Sequence, residues 1–157
     1  MPLLSDQDRS TLQERFETTL DADVKVKLFT QSAARSLLTI PGQSQGDGGE
    51  FMKVTKELLE ELVDTSPKLS LQVYDVHGDG AEEAKRLRIE QIPAIILGDD
   101  EQGQMRFYGA PVGNEFPTIL TGIESISQNT PMLRDKVAEA AGLIDESVHL
   151  RVFVTPT

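Results

Sequence analysis

The stretch Ile89-Glu-Gln-Ile-Pro-Ala-Ile-Ile-Leu97 places a proline directly before four consecutive apolar residues. A short apolar run of this kind, bounded by turn residues, is typical of a buried β-strand. The residues from Gly98 to Gln104 indicate a hairpin loop, and those from Met105 to Tyr108 indicate a returning strand. The stretch therefore predicts a β-hairpin whose first strand, Ala94 to Leu97, begins after a proline.

Helices and strands alternate before this hairpin. Ser5, followed three residues later by Asp8, predicts the capped start of a helix. Alternating side chains then predict a strand, and apolar residues at three- and four-residue spacing predict a second helix. The predicted elements are the helix after Ser5, a strand over Val24–Phe29, a helix over Phe51–Leu62, a strand over Leu69–Val76 and a short helix over Ala81–Arg88.

Two further helices and a strand are predicted after the hairpin. Asn114 predicts the cap of a helix that has Pro117 in its first turn, where a missing N–H is harmless. Thr130-Pro131 begins another helix, which Gly142 ends. From Val148 to Val154 apolar residues alternate with other types, which predicts a final strand.

The charge balance limits the classes of partner. The chain has 157 residues, of which 15 are Lys or Arg and 26 are Asp or Glu, so its net charge is −11 at pH 7. Such a surface repels phosphate backbones and anionic lipid, so neither nucleic acid nor a membrane is expected as a partner. No apolar run approaches the ~20 residues of a membrane helix. The N-terminal residues lack the pattern of a signal peptide, and we expect a cytoplasmic protein.

The chain contains no cysteine. This excludes disulfides, thiolate metal sites and every mechanism that needs a thiol nucleophile. His77 and His149 are its only imidazoles, and two separated imidazoles without clustered acids make no metal site. We therefore predict neither a metal nor a cofactor.

One motif offers an alternative function. Gly42-Gln-Ser-Gln-Gly46 matches the nucleophile elbow of hydrolases, and Asp75 with His77 or His149 follows in a permissible order. That elbow needs a strand before Ser44 and a helix immediately after it. Pro41 precedes the motif and more glycines follow it, so a solvated loop is favoured. A thiol-independent hydrolase based on Ser44 remains the alternative.

Two segments resemble a known family. Ala84 to Leu97 resembles the cis-proline region of thioredoxin. Arg106 to Phe116 is similar to the signature aromatic-Tyr-Gly-x-Pro-x-Gly-x-Glu-Phe, which occurs in the first unit of the protein disulfide oxidoreductases. Those proteins are glutaredoxin-like and are built from tandem thioredoxin-like units. The resemblance implies an α/β thioredoxin-like fold, with a mixed sheet flanked by helices and an extra C-terminal helix and strand. It also implies a role in cell redox homeostasis and a cis peptide bond between Ile92 and Pro93.

The resemblance divides the chain into two parts. Residues 1–128 would form a thioredoxin-like domain, and residues 129–157 a linker helix and the first strand of a truncated second unit. The place of the family's Cys-x-x-Cys is taken by Arg35, Ser36, Leu37 and Leu38, followed by a glycine-rich insertion over residues 41–49. Because no thiol is present, we expect no dithiol exchange and no catalytic residue in this chain.

The expected role is therefore support rather than catalysis. The chain would be a structural or partner-binding unit for a Cys-containing thioredoxin-like unit. In thioredoxin-like proteins the backbone beside the cis-proline pairs with an extended peptide, as in strand addition. This implies Gln91, Ile92 and Pro93 as peptide-binding positions. The apolar strand over Val148–Val154 further suggests a homodimer formed by strand exchange.

Overall fold

The computed structural model describes residues 2–31, 48–99, 103–130, 134–146, 148 and 151–153. Helices and strands alternate up to the hairpin, as the sequence predicts. The elements in chain order are α1 (Asp6–Thr19), β1 (Val24–Thr30), α2 (Gly48–Val63), β2 (Leu69–Asp75), α3 (Ala81–Arg86), β3 (Ala94–Asp99), β4 (Gly103–Tyr108), α4 (Phe116–Ser127) and α5 (Asp135–Gly142).

The four strands form one mixed sheet in the order β2-β1-β3-β4. Strands β1 and β2 run parallel, with Val24 opposite Leu69 and Leu28 opposite Val73. Parallel neighbours need a crossover connection, and α2 lies in the segment between them. Strand β3 is antiparallel to β1 and to β4, which completes the predicted hairpin. The predicted mixed sheet with flanking helices is confirmed.

The larger core lies on one face of the sheet, beneath α1, α2 and α4. Strand β1 contributes Val24, Val26 and Leu28, which are fully buried. Their two-residue spacing places them on one face, because successive side chains of a strand point to opposite sides. The helices pack against them with apolar side chains that include Leu12, Phe16, Leu59, Leu62, Ile119 and Ile123.

The smaller core lies on the opposite face, where α3 covers the sheet. Phe29 and Ile96 are fully buried there beneath Ala84 and Leu87. Phe29 also stacks on Tyr74 of β2, with ring centroids 5.0 Å apart and an interplanar angle of 14°. Among the described residues, this face is covered by one short helix, whereas the other is covered by three.

An ion pair joins α1 to α4 at the rim of the larger core. Arg15 donates through Nε and Nη2 to the two carboxylate oxygens of Glu124, at 2.5 and 2.7 Å. Thr19 Oγ1 lies 3.1 Å from the same carboxylate. The Arg15 hydrogen bonds hold the pKa of the buried Glu124 below its ordinary value, although burial acts in the opposite direction. The charged carboxylate is thus fully partnered in a site that water scarcely reaches.

The predicted cap of the first helix is confirmed, and that of α4 is corrected. The N–H of Asp8 donates to Ser5 Oγ, and the N–H of Ser5 donates back to Asp8 Oδ2, both at 3.1 Å. Asn114 does not cap α4. It lies inside a 3₁₀ turn, Gly113–Glu115, and Glu115 is the N-cap residue. The positive φ of Gly113 starts this turn one residue before the asparagine.

Two other predictions from the helical pattern need correction. Phe51 is 47% exposed, because the buried face of α2 begins one turn later, at Thr55. The short helix α3 ends at Arg86 rather than at Arg88. Arg88 has a φ of 53°, a left-handed conformation that a continuing helix cannot contain.

The C-terminal segment is the least packed part of the described chain. Helix α5 ends at Gly142 as predicted but begins at Asp135, and none of its residues is buried. Val148 and residues 151–153 lie outside any strand. The predicted strand, which the resemblance assigns to a second unit, stays a prediction. The large apolar side chains exposed in this segment are Val137, Leu143, Ile144, Val148, Val152 and Phe153.

Candidate peptide-binding site

The candidate site is the loop that joins α3 to β3. Helix α3 ends in a Schellman motif: the N–H of Ile89 donates to Ala84 O at 2.9 Å, and the N–H of Arg88 to Lys85 O at 3.1 Å. Arg88 occupies the left-handed position of this motif. The same turn directs Ile89 back onto the smaller core. The helix end is therefore fixed, and the next residues leave it towards the sheet.

Gln91, Ile92 and Pro93 approach the sheet with increasing burial. Gln91 is exposed, Ile92 packs against the smaller core, and Pro93 is buried. The Ile92–Pro93 peptide bond is cis. Within the described part of the chain, no hydrogen bond reaches the backbone of Gln91 or Ile92. The pairing of β3 with β1 begins one residue after the proline, with Ala94 opposite Phe29.

The end of β4 holds the other side of this loop. The N–H of Gly109 donates to Pro93 O at 2.9 Å, and Tyr108 lies opposite Ala94 in the hairpin. Two residues before Tyr108 in β4, the Arg106 guanidinium donates to Leu87 O at the end of α3. These contacts fix both ends of the loop, so its free backbone is presented from a rigid frame.

Helix α3 is anchored to the sheet by a shared carboxylate. Glu83 accepts from Arg86 Nε and from Lys27 Nζ, each at 2.7 Å. Hydrogen bonds from Arg86 and then from Lys27 lower the pKa of Glu83 from 4.5 to about 2. Glu83 therefore remains charged at neutral pH and keeps α3 fixed across β1.

Several residues that the sequence singles out fall outside the described part of the chain. These are Arg35, Ser36, Leu37 and Leu38 at the place of the Cys-x-x-Cys, Ser44 in the glycine-rich insertion, and His149. His77 is described and is exposed in the turn after β2, where its backbone N–H donates to Asp75 Oδ1 at 2.9 Å. The structure thus brings together Gln91, Ile92 and Pro93 but does not test the hydrolase alternative.

Two features are absent from the described residues. They contain no group of three or more His, Cys, Asp or Glu side chains that could hold a metal ion. In the same part of the chain, no helix has the length and apolar character needed to cross a membrane.

Sequence reasoning missed Arg88 and Arg106 as parts of this site. Arginine is not a turn residue, so nothing in the pattern announces the left-handed conformation of Arg88. Arg106 stands 19 residues from the carbonyl of Leu87 that it binds. Only the register of β4 against β3, with Arg106 opposite Ile96, brings it to the end of α3.

The comparisons with known sequences give distant relatives. No family model matches the chain. It is 28% identical over 108 residues to the alkyl hydroperoxide reductase component AhpF from Staphylococcus aureus strain Mu50. The match covers 69% of this chain and 19% of that protein, so the chain spans about a fifth of the length of the curated relatives it matches.

Solved structures share its architecture over 87% of its length. The protein disulfide oxidoreductase from Aeropyrum pernix K1 matches with a TM-score of 0.63 at 20% identity. The alkylhydroperoxide reductase component AhpF from Enterococcus faecalis V583 matches with a TM-score of 0.63 at 17% identity. The chain has a thioredoxin-like fold. It covers 53% of the first of those chains and 58% of the second.

The thioredoxin-like fold gives the α3–β3 loop its position. The proline that precedes β3 lies at the edge where β1 ends. A thioredoxin-like protein needs a thiolate to exchange disulfides, and this chain has no cysteine at any of its 157 positions. What its described residues offer at this edge is a polar backbone held in a fixed geometry.

Proposed function

We propose that this chain is a redox-inactive thioredoxin-like unit, which acts as a structural and partner-binding support for a Cys-containing thioredoxin-like unit. It would serve a protein disulfide oxidoreductase or hydroperoxide reductase system. The proposal includes a cytoplasmic location, which fractionation of cells expressing the tagged chain would test.

The observation that carries this proposal is the exposed C-terminal segment. Phe153 is 89% exposed and Leu143 is 83% exposed, with four other large apolar side chains exposed around them. Burying one such side chain contributes roughly 1.5–3 kcal/mol. Arg151 contacts the domain through Glu90 at 3.2 Å, an exposed ion pair that contributes little. A second packed unit would cover these side chains.

The length of the similar structures supports the same proposal. This chain matches 53% and 58% of the two structures whose fold it shares. Each of those chains therefore has room for a further unit beside the matched part. In a protein with two such units, this chain would correspond to the unit that it matches in those structures.

The peptide-binding role of Gln91, Ile92 and Pro93 belongs to the same proposal. Their loop is fixed at both ends, and the backbone of Gln91 and Ile92 is unpaired within the described residues. An extended segment of a partner protein could pair with this backbone, because unpaired N–H and C=O groups at a sheet margin accept a further strand. The homodimer through residues 148–154 is a second form of the same association.

Dithiol-driven reduction of insulin tests the redox-inactive part of the proposal. The purified chain should show no activity above buffer, because a thiolate must attack the disulfide. Activity that survives rigorous purification would contradict the proposal. A thioredoxin assayed in parallel is the positive control.

A fusion tests the supporting role. Residues 1–157 would be joined to the part of the Aeropyrum pernix protein that lies outside its matched region. We expect amide hydrogen exchange of residues 148–153 to slow in the fusion relative to the isolated chain, because packing protects backbone amides. A double variant, Val152→Asp with Phe153→Asp, should remove this protection. Equal exchange in the fusion and the isolated chain would refute the supporting role.

A further inference from the structure

A positively charged surface surrounds the candidate loop in an otherwise acidic molecule. We define the α3 surface as α3, the loop that follows it and the charged side chains that reach either. The net charge of the whole chain is −11, yet this surface carries more cations than carboxylates. Its cations are Lys27, Lys85, Arg86, Arg88, Arg106 and Arg151, and its carboxylates are Glu82, Glu83 and Glu90.

Arg106 is held by the carbonyl oxygen of Leu87, and among the described residues two further cations have no carboxylate partner. Glu83 is shared by Lys27 and Arg86, and Glu90 is engaged by Arg151. In the part of the chain that the structure describes, Lys85 and Arg88 make no ion pair, and both are exposed. The surplus positive charge of the α3 surface is thus available to an outside anion.

Arg88 stands at a position where glycine would be the more favourable residue. It has a φ of 53° at the left-handed position of a Schellman motif, which is usually occupied by glycine and sometimes by asparagine. Helix α4 ends in the same way with Asn129, whose φ is 47°. Asparagine tolerates this conformation because of its short polar side chain. The need to terminate α3 therefore does not explain why this residue is an arginine. Unfavourable backbone conformations of this kind cluster at functional sites.

We propose that the α3 surface binds the carboxylates of an acidic, extended protein segment, with Arg88 as the principal contact and Lys85 as the second. The inference rests on the proposed peptide-binding role of the loop and names the charge class of its ligand. Arg88 lies three residues before Gln91 in the same loop, so its Cα is within about 11 Å of the backbone with which the segment would pair. The fork of the guanidinium matches a carboxylate through two parallel hydrogen bonds.

The charge of the rest of the chain distinguishes this ligand from a nucleic acid. A long polyanion meets the repulsion of the whole acidic molecule, whereas a short acidic segment meets the local surplus of the α3 surface. Two unpaired cations fit a few carboxylates, not a continuous phosphate backbone.

The test uses three fluorescent peptides of equal length and the full chain. Their alternate residues are Glu, Gln or Lys, and binding is followed by fluorescence anisotropy in low and in high salt. We expect the Glu peptide to bind threefold to tenfold more tightly than the Gln peptide in low salt, since a few exposed ion pairs contribute on this order. High salt should remove the difference.

Variants at Arg88 separate charge from conformation. Arg88→Gly should abolish most of the preference for the Glu peptide while the unfolding temperature stays equal or rises, because glycine suits the left-handed position. Arg88→Lys should keep most of the preference. Unchanged preference in Arg88→Gly, or a loss of stability in it, would overturn the role of Arg88.

The outcomes also separate this inference from the proposed function. Equal binding of the Glu and Gln peptides would overturn the acidic preference and leave the peptide-binding role standing. Absence of binding by all three peptides would overturn both. Tighter binding of a single-stranded oligothymidine than of the Glu peptide would replace the protein ligand by a nucleic acid and overturn the inference.

Discussion

Glu124 lies within the packed side chains of α4, where an unpartnered carboxylate would be strongly unfavourable. Its two oxygens accept from Arg15, and one of them also from Thr19. Removing one partner of a buried charge leaves the other unsatisfied, which usually costs more than the pair itself contributes. The guanidinium of Arg15 is partly exposed, so water offsets some of that cost.

Replacing Glu124 by Gln should lower the free energy of unfolding by about 1–3 kcal/mol at pH 7. The amide keeps the volume but loses the charge that receives both Arg15 hydrogen bonds. Urea denaturation would measure the change. Glu17→Gln, an exposed position on α1, is the matched control and should stay within about 0.5 kcal/mol. Equal stability of the two variants would contradict this account.

Glu83 gives α3 a defined dependence on pH. Its pKa is about 2 in the folded chain, against an ordinary value of 4.5. A lowered pKa contributes stability that is complete above 4.5 and is lost as the pH falls from 4.5 towards 2. Because Arg86 is half-exposed, we expect a loss of about 1–2 kcal/mol across this window. The Glu83→Gln variant should be less stable than the unmodified chain above pH 4.5. Its loss of stability between pH 4.5 and 2 should be smaller by the contribution of Glu83. Thermal unfolding at a series of pH values would measure both effects. An unchanged decline would refute the assignment.

Among the elements, α4 lies very close to the sheet at Gly122. A Cβ built there would lie 2.6 Å from Met105 Sδ and 2.9 Å from Leu97 Cδ1. Both are side-chain atoms of the hairpin strands, so they can shift only by disturbing the larger core. The close packing therefore leaves no room for a larger residue at this position, although glycine weakens a helix interior.

Gly122→Ala should lower the free energy of unfolding by about 1–3 kcal/mol, because overpacking outweighs the gain in helix propensity. Thr121→Ala, at the exposed neighbouring position, is the control and should be neutral or slightly stabilising. Denaturant unfolding of both variants would measure the difference. A higher free energy of unfolding in Gly122→Ala would contradict this prediction, because it would mean that the Met105 side chain moves aside without loss of stability.

Features that depend on a few neighbouring residues could be predicted from the sequence, and long-range ones could not. The bonds between Ser5 and Asp8 span three residues, so the spacing alone predicts them. Arg15 and Glu124 are 109 residues apart, and no local pattern pairs them. The peptide-binding positions were predicted from the resemblance to thioredoxin. The left-handed conformation of Arg88 was predicted neither from that resemblance nor from a local pattern. Alternation along the strands fixed the face of each side chain, because its period matches the pleat.

For the whole molecule, the exposed C-terminal segment predicts association. Val152 is 75% exposed and Phe153 89%, so the described residues gain little from their own domain. Deleting residues 148–157 should leave the unfolding temperature nearly unchanged but convert a concentration-dependent dimer to a monomer in light scattering, since exchanged strands close most simply in pairs. The Val152→Asp and Phe153→Asp double variant keeps the length and should also be monomeric. The same molecular mass for the full chain, the deletion variant and the double variant would refute the strand-exchanged dimer.

The stacked pair in the smaller core has a practical consequence for spectroscopy. The chain has no tryptophan and two tyrosines, of which Tyr74 is stacked on Phe29 while Tyr108 is 40% exposed. Near-ultraviolet circular dichroism arises from aromatic rings in fixed asymmetric surroundings, so Tyr74 will dominate the signal. That signal therefore reports whether Tyr74 is packed in the smaller core. Among the described residues the longer helices lie over the opposite face, so far-ultraviolet helicity reports mainly on that face, and the two wavelength ranges report on different sides of the sheet without any added label.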